Sequence, residues 1–287
     1  MTIVAVAALA VAGAAVAGST LVVESDPEGT SNGLSYRSAT FPGADIAEYA
    51  VTFCPGRRVV SGGGAFVSGV SSEAPLIRAV PDRPTDGKTA PRKSWTTGIN
   101  NLGASSKTLT GYAICARARG IVRSTKLRTA PVKNATLALK APCPRGSSVL
   151  GGGVNTNYND ARILASAPYD GGDRGRTADD GWQGRAVTGD TRDLQVTAIC
   201  LKGRAQRRLV YRERTAESTG DLFRQAPCPE DAAATGGGAA ISGGTGAFLN
   251  SVYPADTSGE GTPDDAFSSF AWSATPASLT TTAICRT

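Results

Sequence analysis

The sequence predicts an all-β protein built of three tandem homologous modules, each of about six short strands. Three observations carry this expectation. The segment "CPGRRVVSGGG" (Cys54 to Gly64) recurs as "CPRGSSVLGGG" (Cys143 to Gly153) and again as "CPEDAAATGGG" (Cys228 to Gly238). The chain holds 35 Gly and only 6% aromatic residues, a balance that favours short strands and tight turns over long helices. Several stretches alternate apolar and polar residues, and none carries a convincing apolar period of 3.6.

In chain order, "MTIVAVAALAVAGAAVAGST" is an apolar run ending in Ala15-Val16-Ala17, the small-x-small pattern of a signal-peptidase site. Residues 1–17 therefore read as a signal peptide, and the protein as secreted. No Lys or Arg precedes the run, so a retained N-terminal anchor is the alternative. No comparable apolar stretch follows, and no membrane span is expected in the mature chain. Residues 18–33, which include "ESDPEGTSNG", read as a linker.

The β repeats follow at 34–120, 125–205 and 208–287. In each, the glycine triplet begins eight residues after the first Cys, at Gly62, Gly151 and Gly236. A proline comes next (Pro81, Pro168, Pro254) with aspartates beside it (Asp82, Asp170, Asp256), then one tryptophan (Trp95, Trp182, Trp272), then a closing "AIC". Upstream of each Cys-Pro, an apolar residue before Arg recurs at Tyr36-Arg37, Leu127-Arg128 and Tyr211-Arg212. Copy two reads as the strands "KLRTAPV", "ATLALKAP", "SVLGGGVNT", "ARILASAP", "WQGRAVTG" and "LQVTAICL".

Six cysteines in an exported chain imply disulfides, for which 15 pairings exist. The simplest joins the two half-cystines of each copy: Cys54–Cys115, Cys143–Cys200 and Cys228–Cys285. Each would close a loop of about 60 residues, worth roughly 4 kcal/mol in the chain-entropy model. Equally symmetric is a set that staples neighbouring copies, with Cys115–Cys143, Cys200–Cys228 and Cys285–Cys54.

Gly62, Gly63, Gly64, Gly151, Gly152, Gly153, Gly236, Gly237 and Gly238 are read as structural, at a bulge or crossing where another backbone or a Trp ring packs close. A phosphate-cradling loop would want a following Lys-Ser/Thr, which is absent. Trp95, Trp182 and Trp272 are read as core anchors in preference to sugar-stacking platforms.

The pattern CPxGxxVxGGG…W…YAIC resembles the cysteine-bracketed β module of uncharacterised secreted actinobacterial proteins, over nearly the whole mature chain. Copy three departs from it, with Glu230-Asp231 where a Gly is usual. The Cys-Pro-x-Gly opening and the three-fold duplication are more faintly similar to the vitelline membrane outer layer protein (β-prism) family. The resemblance implies no catalytic residues. In such proteins single modules follow collagen-like stalks, which implies trimers, so three fused copies would mimic a trimer with pseudo-three-fold symmetry. A row of separate beads is the alternative.

There is no histidine, which removes the usual Ser-His-Asp and Cys-His mechanisms and His-based metal sites. No cofactor and no metal are expected. The acidic loops Asp170, Asp173, Asp179, Asp180 and Asp256, Glu260, Asp264, Asp265 read as solvated, with Ca²⁺ binding or carboxylate catalysis as sharper alternatives. Residues 116–142 carry seven bases and no acid. Arg117, Arg119, Arg123, Arg204, Arg207 and Arg208 are therefore candidate anion-binding residues, weighed against exposed edges whose charge prevents aggregation. Nucleic acid is disfavoured outside the cell. The leading expectation is a secreted, non-enzymatic structural or binding protein at the cell surface, recognising a glycan or an anionic cell-wall polymer. The alternative is a secreted carboxylate-dependent polysaccharide hydrolase.

Overall fold

Alternating small, β-branched and polar residues between glycine-containing turns give this chain strands almost throughout. The computed structural model describes residues 26–44, 48–68, 72–81, 93–103, 105–117, 119–156, 160–171, 177–190, 193–203, 206 and 208–287. The expected signal peptide, Asp82, Asp173, Arg204 and Arg207 lie outside the described residues. The fold is all-β, with no α-helix among those residues.

Ahead of the first disulfide-bonded Cys come β1 (Asp26–Ser31), β2 (Leu34–Ala44) and β3 (Glu48–Phe53). Between Cys54 and Cys115 lie β4 (Arg58–Val67), β5 (Leu76–Pro81), β6 (Ser94–Ile99) and β7 (Lys107–Arg117). The middle third holds β8 (Ile121–Thr129), β9 (Thr136–Pro142), β10 (Ser147–Asn155), β11 (Arg162–Tyr169), β12 (Gly181–Val187) and β13 (Asp193–Lys202). Last come β14 (Leu209–Pro227), β15 (Ala233–Gly243), β16 (Phe248–Ala255) and β17 (Ala266–Arg286).

One six-stranded sheet runs β3-β6-β5-β10-β13-β8. The other runs β1-β2-β7-β4-β16-β17-β15-β11-β12-β9, with β14 also beside β17. β17 serves two partners in turn: Ala266 to Trp272 pairs with β16, and Ala277 to Arg286 with β15. All pairings are antiparallel. The Cys-to-Cys segments are joined edge to edge by three short seams: Val154 opposite Ala79, Ala165 opposite Ala240, and Val252 opposite Ala65.

The glycine triplets explain how these segments approach so closely. A methyl group on Gly62 would fall within 3.0 Å of Thr235 O and Gly236 Cα; on Gly236, of Leu150 O and Gly151 Cα; on Gly151 it would strike Ser61 O and press on Gly62. The first glycines of the three triplets thus touch one another in a closed cycle. The third ones (Gly64, Gly153, Gly238) lie against the backbone of β16, β5 and β11 across the seams. The middle ones make room for a ring: Trp95 over Gly63, Trp182 over Gly152, and Phe267 over Gly237.

Three disulfides close the segments: Cys54–Cys115, Cys143–Cys200 and Cys228–Cys285, with Cα–Cα distances of 5.5, 5.7 and 5.7 Å. After each Cys-Pro the turn takes a left-handed residue: Gly56 at φ 56°, Gly146 at 75°, and Asp231 at 65°. Asp is among the few non-glycine residues that tolerate this region, so the departure at Glu230-Asp231 leaves the turn intact.

Four expectations change. Residues 26–33 are not linker: β1 pairs with β2 through the left-handed Asn32-Gly33 turn, a hairpin dipeptide. β8 begins at Ile121, ahead of the expected start of the second repeat at residue 125. In consequence Leu127 is not the counterpart of Tyr36 and Tyr211. Tyr36, Arg123 and Tyr211 are the residues that face Ile114, Ile199 and Ile284, and Leu127 is 61% exposed. Finally Trp272 is only half-buried, tilted on Phe248 at 5.8 Å. Phe267 holds the core position because the Asp-Asp-Gly-Trp that opens β12 corresponds to Asp-Asp-Ala-Phe at the start of β17.

A buried and a partly buried phenol tie segments together: Tyr36 Oη donates to Ala234 O and Tyr211 Oη to Val149 O, both at 2.7 Å. Burial, then the nearby Asp264 and Asp265 for Tyr36 and Asp179 and Asp180 for Tyr211, push both phenols far above the tyrosine range. A raised folded-state pKa stabilises the fold below the unfolded value and is lost above it. Stability is thus expected to fall beyond about pH 10, by about 1.4 kcal/mol per pH unit for each tyrosine. Denaturant titrations from pH 8 to 11 measure this, and the Tyr36→Phe/Tyr211→Phe double variant should flatten the fall.

Gly151→Ala is expected to cost roughly 3 kcal/mol by overpacking against backbone. Gly146→Ala, which meets nothing within 4 Å but sits at φ 75°, should cost only about 1 kcal/mol. Urea midpoints of the two variants make the comparison.

Candidate functional site

Because side chains alternate across a strand, each sheet has an outer face whose residues are free of the core. On one of these faces five adjacent strands, β14, β17, β16, β4 and β7, each contribute one aromatic ring: Phe223, Phe270, Tyr253, Phe66 and Tyr112. Phe223 and Phe270 are directly opposed across strands, with centroids 4.6 Å apart. Phe270 stacks with Tyr253 at 6.4 Å; Tyr253 meets Phe66 edge-on at 5.0 Å and stacks with Tyr112 at 6.0 Å. With strands about 4.8 Å apart, the row crosses roughly 19 Å of sheet, perpendicular to the chain direction. Phe223 is 49% exposed and the other four are half-buried.

The row is confined to this face. Matching positions by register, the equivalent residues of β3, β6, β5, β10 and β13 are Tyr49, Gly98, Val80, Asn155 and Thr197. Those of β9, β12, β11, β15 and β17 are Ala138, Arg185, Ala167, Ala240 and Thr282. Beside the row a depression of about 330 Å³ is lined by Tyr112, Phe223 and Tyr253 together with Gln225, Asp256 and Ser268. Gln225 Nε2 donates to Ser268 Oγ at 2.9 Å. Burial holds the Tyr253 phenol above its usual range, with the Ser268 hydroxyl pulling it back. The site is therefore an apolar, aromatic strip with an amide, hydroxyl and carboxylate edge.

A basic cavity lies where β7, β13 and β17 end. It has a volume of about 780 Å³ and is lined by Arg58, Arg117, Arg119, Lys202 and Arg286, with no acid among its described lining residues. Arg117, Lys202 and Arg286 close β7, β13 and β17 just past Cys115, Cys200 and Cys285. Left-handed Gly33, Gly120 and Gly203 turn the chain around its rim. Arg58 is fixed there: its Nη1 donates to Gly33 O at 2.5 Å and Cys115 O at 3.3 Å.

Of the candidate anion-binding residues, Arg117 and Arg119 enter this cavity. Arg123 does not; it is buried within β8, where Tyr36 and Tyr211 sit in the other segments. Arg208 is exposed but does not line the cavity.

The acidic residues hold their own loops. Asp180 Oδ2 accepts from Gly171 N, and Asp179 Oδ2 from Ser148 Oγ at 3.0 Å. Asp256 accepts from Gly259 N and Gly261 N, bonds that hold it below the usual carboxylate range, the Gly261 one foremost. Burial would raise Asp265, but N–H donors from Thr257 and Ser258 outweigh it. Burial raises Asp264, and its charge in turn raises Glu260. Glu260, Asp264 and Asp265 bring carboxylate oxygens within 4.8 Å of one another, the spacing for a cation among the described residues.

The aromatic row escaped sequence reading. Its rings come from copies one and three, and nothing local says that β16 lies beside β4. The available signal was asymmetry: copy two has Ala138, Asn155, Ala167, Arg185 and Thr197 where its neighbours place rings. No protein-family model matches the chain, and no curated protein matches it either.

Phe223→Ala should cost only about 1 kcal/mol, because the ring is half exposed and its main loss is the pairing with Phe270. Phe267→Ala, which empties the space over Gly237, should cost about 3–5 kcal/mol. Thermal melts of both variants separate surface rings from core ones.

Proposed function

We propose that the protein is a secreted, non-enzymatic glycan-binding protein whose three homologous modules close around a pseudo-three-fold axis, in the manner of a β-prism. The cycle of contacts among Gly62, Gly236 and Gly151 and the three seams support the closed arrangement over separate beads. Three disulfides, and no described helix long and apolar enough to cross a membrane, are compatible with an extracellular protein.

The observation that carries the function is the row of Phe223, Phe270, Tyr253, Phe66 and Tyr112. Of seven Phe and seven Tyr in the chain, three and two stand in this one line. A monomer does not ordinarily gather apolar rings on one outer face without a partner for them. One ring per strand gives a ladder of apolar contacts at the inter-strand spacing, close to the length of a pyranose unit. The C–H faces of a sugar cover such rings, and the Gln225, Asp256 and Ser268 edge suits its hydroxyls. The ligand is accordingly an extended, uncharged polysaccharide lying across the strands.

Depletion assays on insoluble cellulose, chitin and β-1,3-glucan, with affinity electrophoresis on soluble glucans and mannans, test the reading. Retention by at least one polymer is expected. Tyr253→Ala and Phe223→Ala should each weaken it by about 2 kcal/mol, roughly 30-fold. No retention by any of these polymers, or retention unchanged in both variants, sinks it.

A further inference from the structure

The end cavity is a second site, separate from the aromatic face. We propose that it binds clustered phosphate groups, two or more linked phosphates entering together. Five cations, Arg58, Arg117, Arg119, Lys202 and Arg286, surround one space of about 780 Å³. None of the five forms an ion pair with a described carboxylate; the described ion pair, Lys133 with Asp190 at 3.4 Å, lies elsewhere. A single chloride or carboxylate would leave most of this repulsion standing, whereas a multiply charged ligand relieves it.

Four of the five are arginines. Guanidinium forks meet tetrahedral oxyanions through paired N–H donors, which a lysine point charge cannot do. Arg58 is pre-aimed by its two bonds to backbone carbonyls, so little side-chain freedom is lost when it meets a ligand. Arg117 and Arg119 are exposed and free to fold inward from the rim. Charges placed only to deter aggregation would line an outward sheet edge. These instead converge from the start of β4, the ends of β7, β13 and β17 and the turn after β7, on one concavity.

The shared chemistry has two sources, a free condensed phosphate and a phosphodiester polymer, and calorimetry distinguishes them. The disulfide-intact chain is titrated with inorganic tripolyphosphate and with poly(glycerol phosphate) at about 50 mM salt, then at higher ionic strength. One saturable site is expected, weakening as salt rises, and at least tenfold weaker in Arg117→Ser/Arg119→Ser. Both residues are exposed, so that variant should keep the parent melting temperature. The Lys126→Ser/Lys133→Ser variant removes the same charge elsewhere and should leave affinity within twofold. Binding of tripolyphosphate identifies free condensed phosphate as sufficient, and binding of the polymer alone identifies a phosphodiester chain as the ligand. The proposal is overturned if neither binds, if the arginine variant binds as the parent does, or if the lysine variant loses as much.

Discussion

At the centre of this molecule three strand backbones meet with no side chain between them. Gly62, Gly151 and Gly236 each occupy the space that the next one's Cβ would need, so the crossing exists only if all three positions are glycine. Everything outward follows from that contact. The third glycines bring β4, β10 and β15 against the neighbouring segments, and the seams complete sheets that no segment could finish alone. The middle glycines are paved by Trp95, Trp182 and Phe267, three of the four largest fully buried side chains in a core dominated by Ala, Val, Ile and Leu. A chain poor in large side chains gains cohesion from close backbone approach and from covalent closure of each segment.

The tyrosines and loop acids belong to the same economy of small parts. Tyr36 and Tyr211 reach from one segment to a carbonyl of another, and the acids that raise their pKa also terminate the loops beside them. Asp179 and Asp180 offer their carbonyls to Val149 N and Cys143 N, and Asp264 and Asp265 to Ala234 N and Cys228 N, at 2.7–2.8 Å. The backbone of these acidic loops is thus a clamp on the Cys-Pro turn. The molecule keeps its unassigned chemistry on two surfaces, an aromatic strip and a cationic basin.

Much of this architecture was legible from residue types. Three identically spaced Cys-Pro and glycine triplets pointed to an all-β fold, the within-segment disulfides and the packing role of the glycines, because each feature repeats and each has a local physical meaning. Less legible were the positions where the segments differ: Phe267 stands where Trp95 and Trp182 do, and Arg123 where Tyr36 and Tyr211 do, while Trp272 and Leu127 continue the sequence pattern. The Asn32-Gly33 turn carried a hairpin signal that polar composition masked. The aromatic row was illegible for a deeper reason. It is assembled from two segments, and no spacing along the chain announces that β16 and β4 will be neighbours.

Of the three seams, that one joins the residues most distant in the sequence. Val67 N meets Ser251 Oγ across 184 residues, and Asn250 Nδ2 meets Ala74 O across 176, whereas Thr156 Oγ1 meets Ile77 O at the β10–β5 seam across only 79. Loop-closure entropy makes the most distant pairing the costliest to form, and high contact order makes it slow. Tyr253 lies on one side of it and Phe66 on the other. A chain with every segment folded and every disulfide made, but with this last seam still open, would have two halves of the aromatic strip and no continuous one. Recognition at that surface would therefore report on completion of the fold itself, so that only fully closed molecules present it.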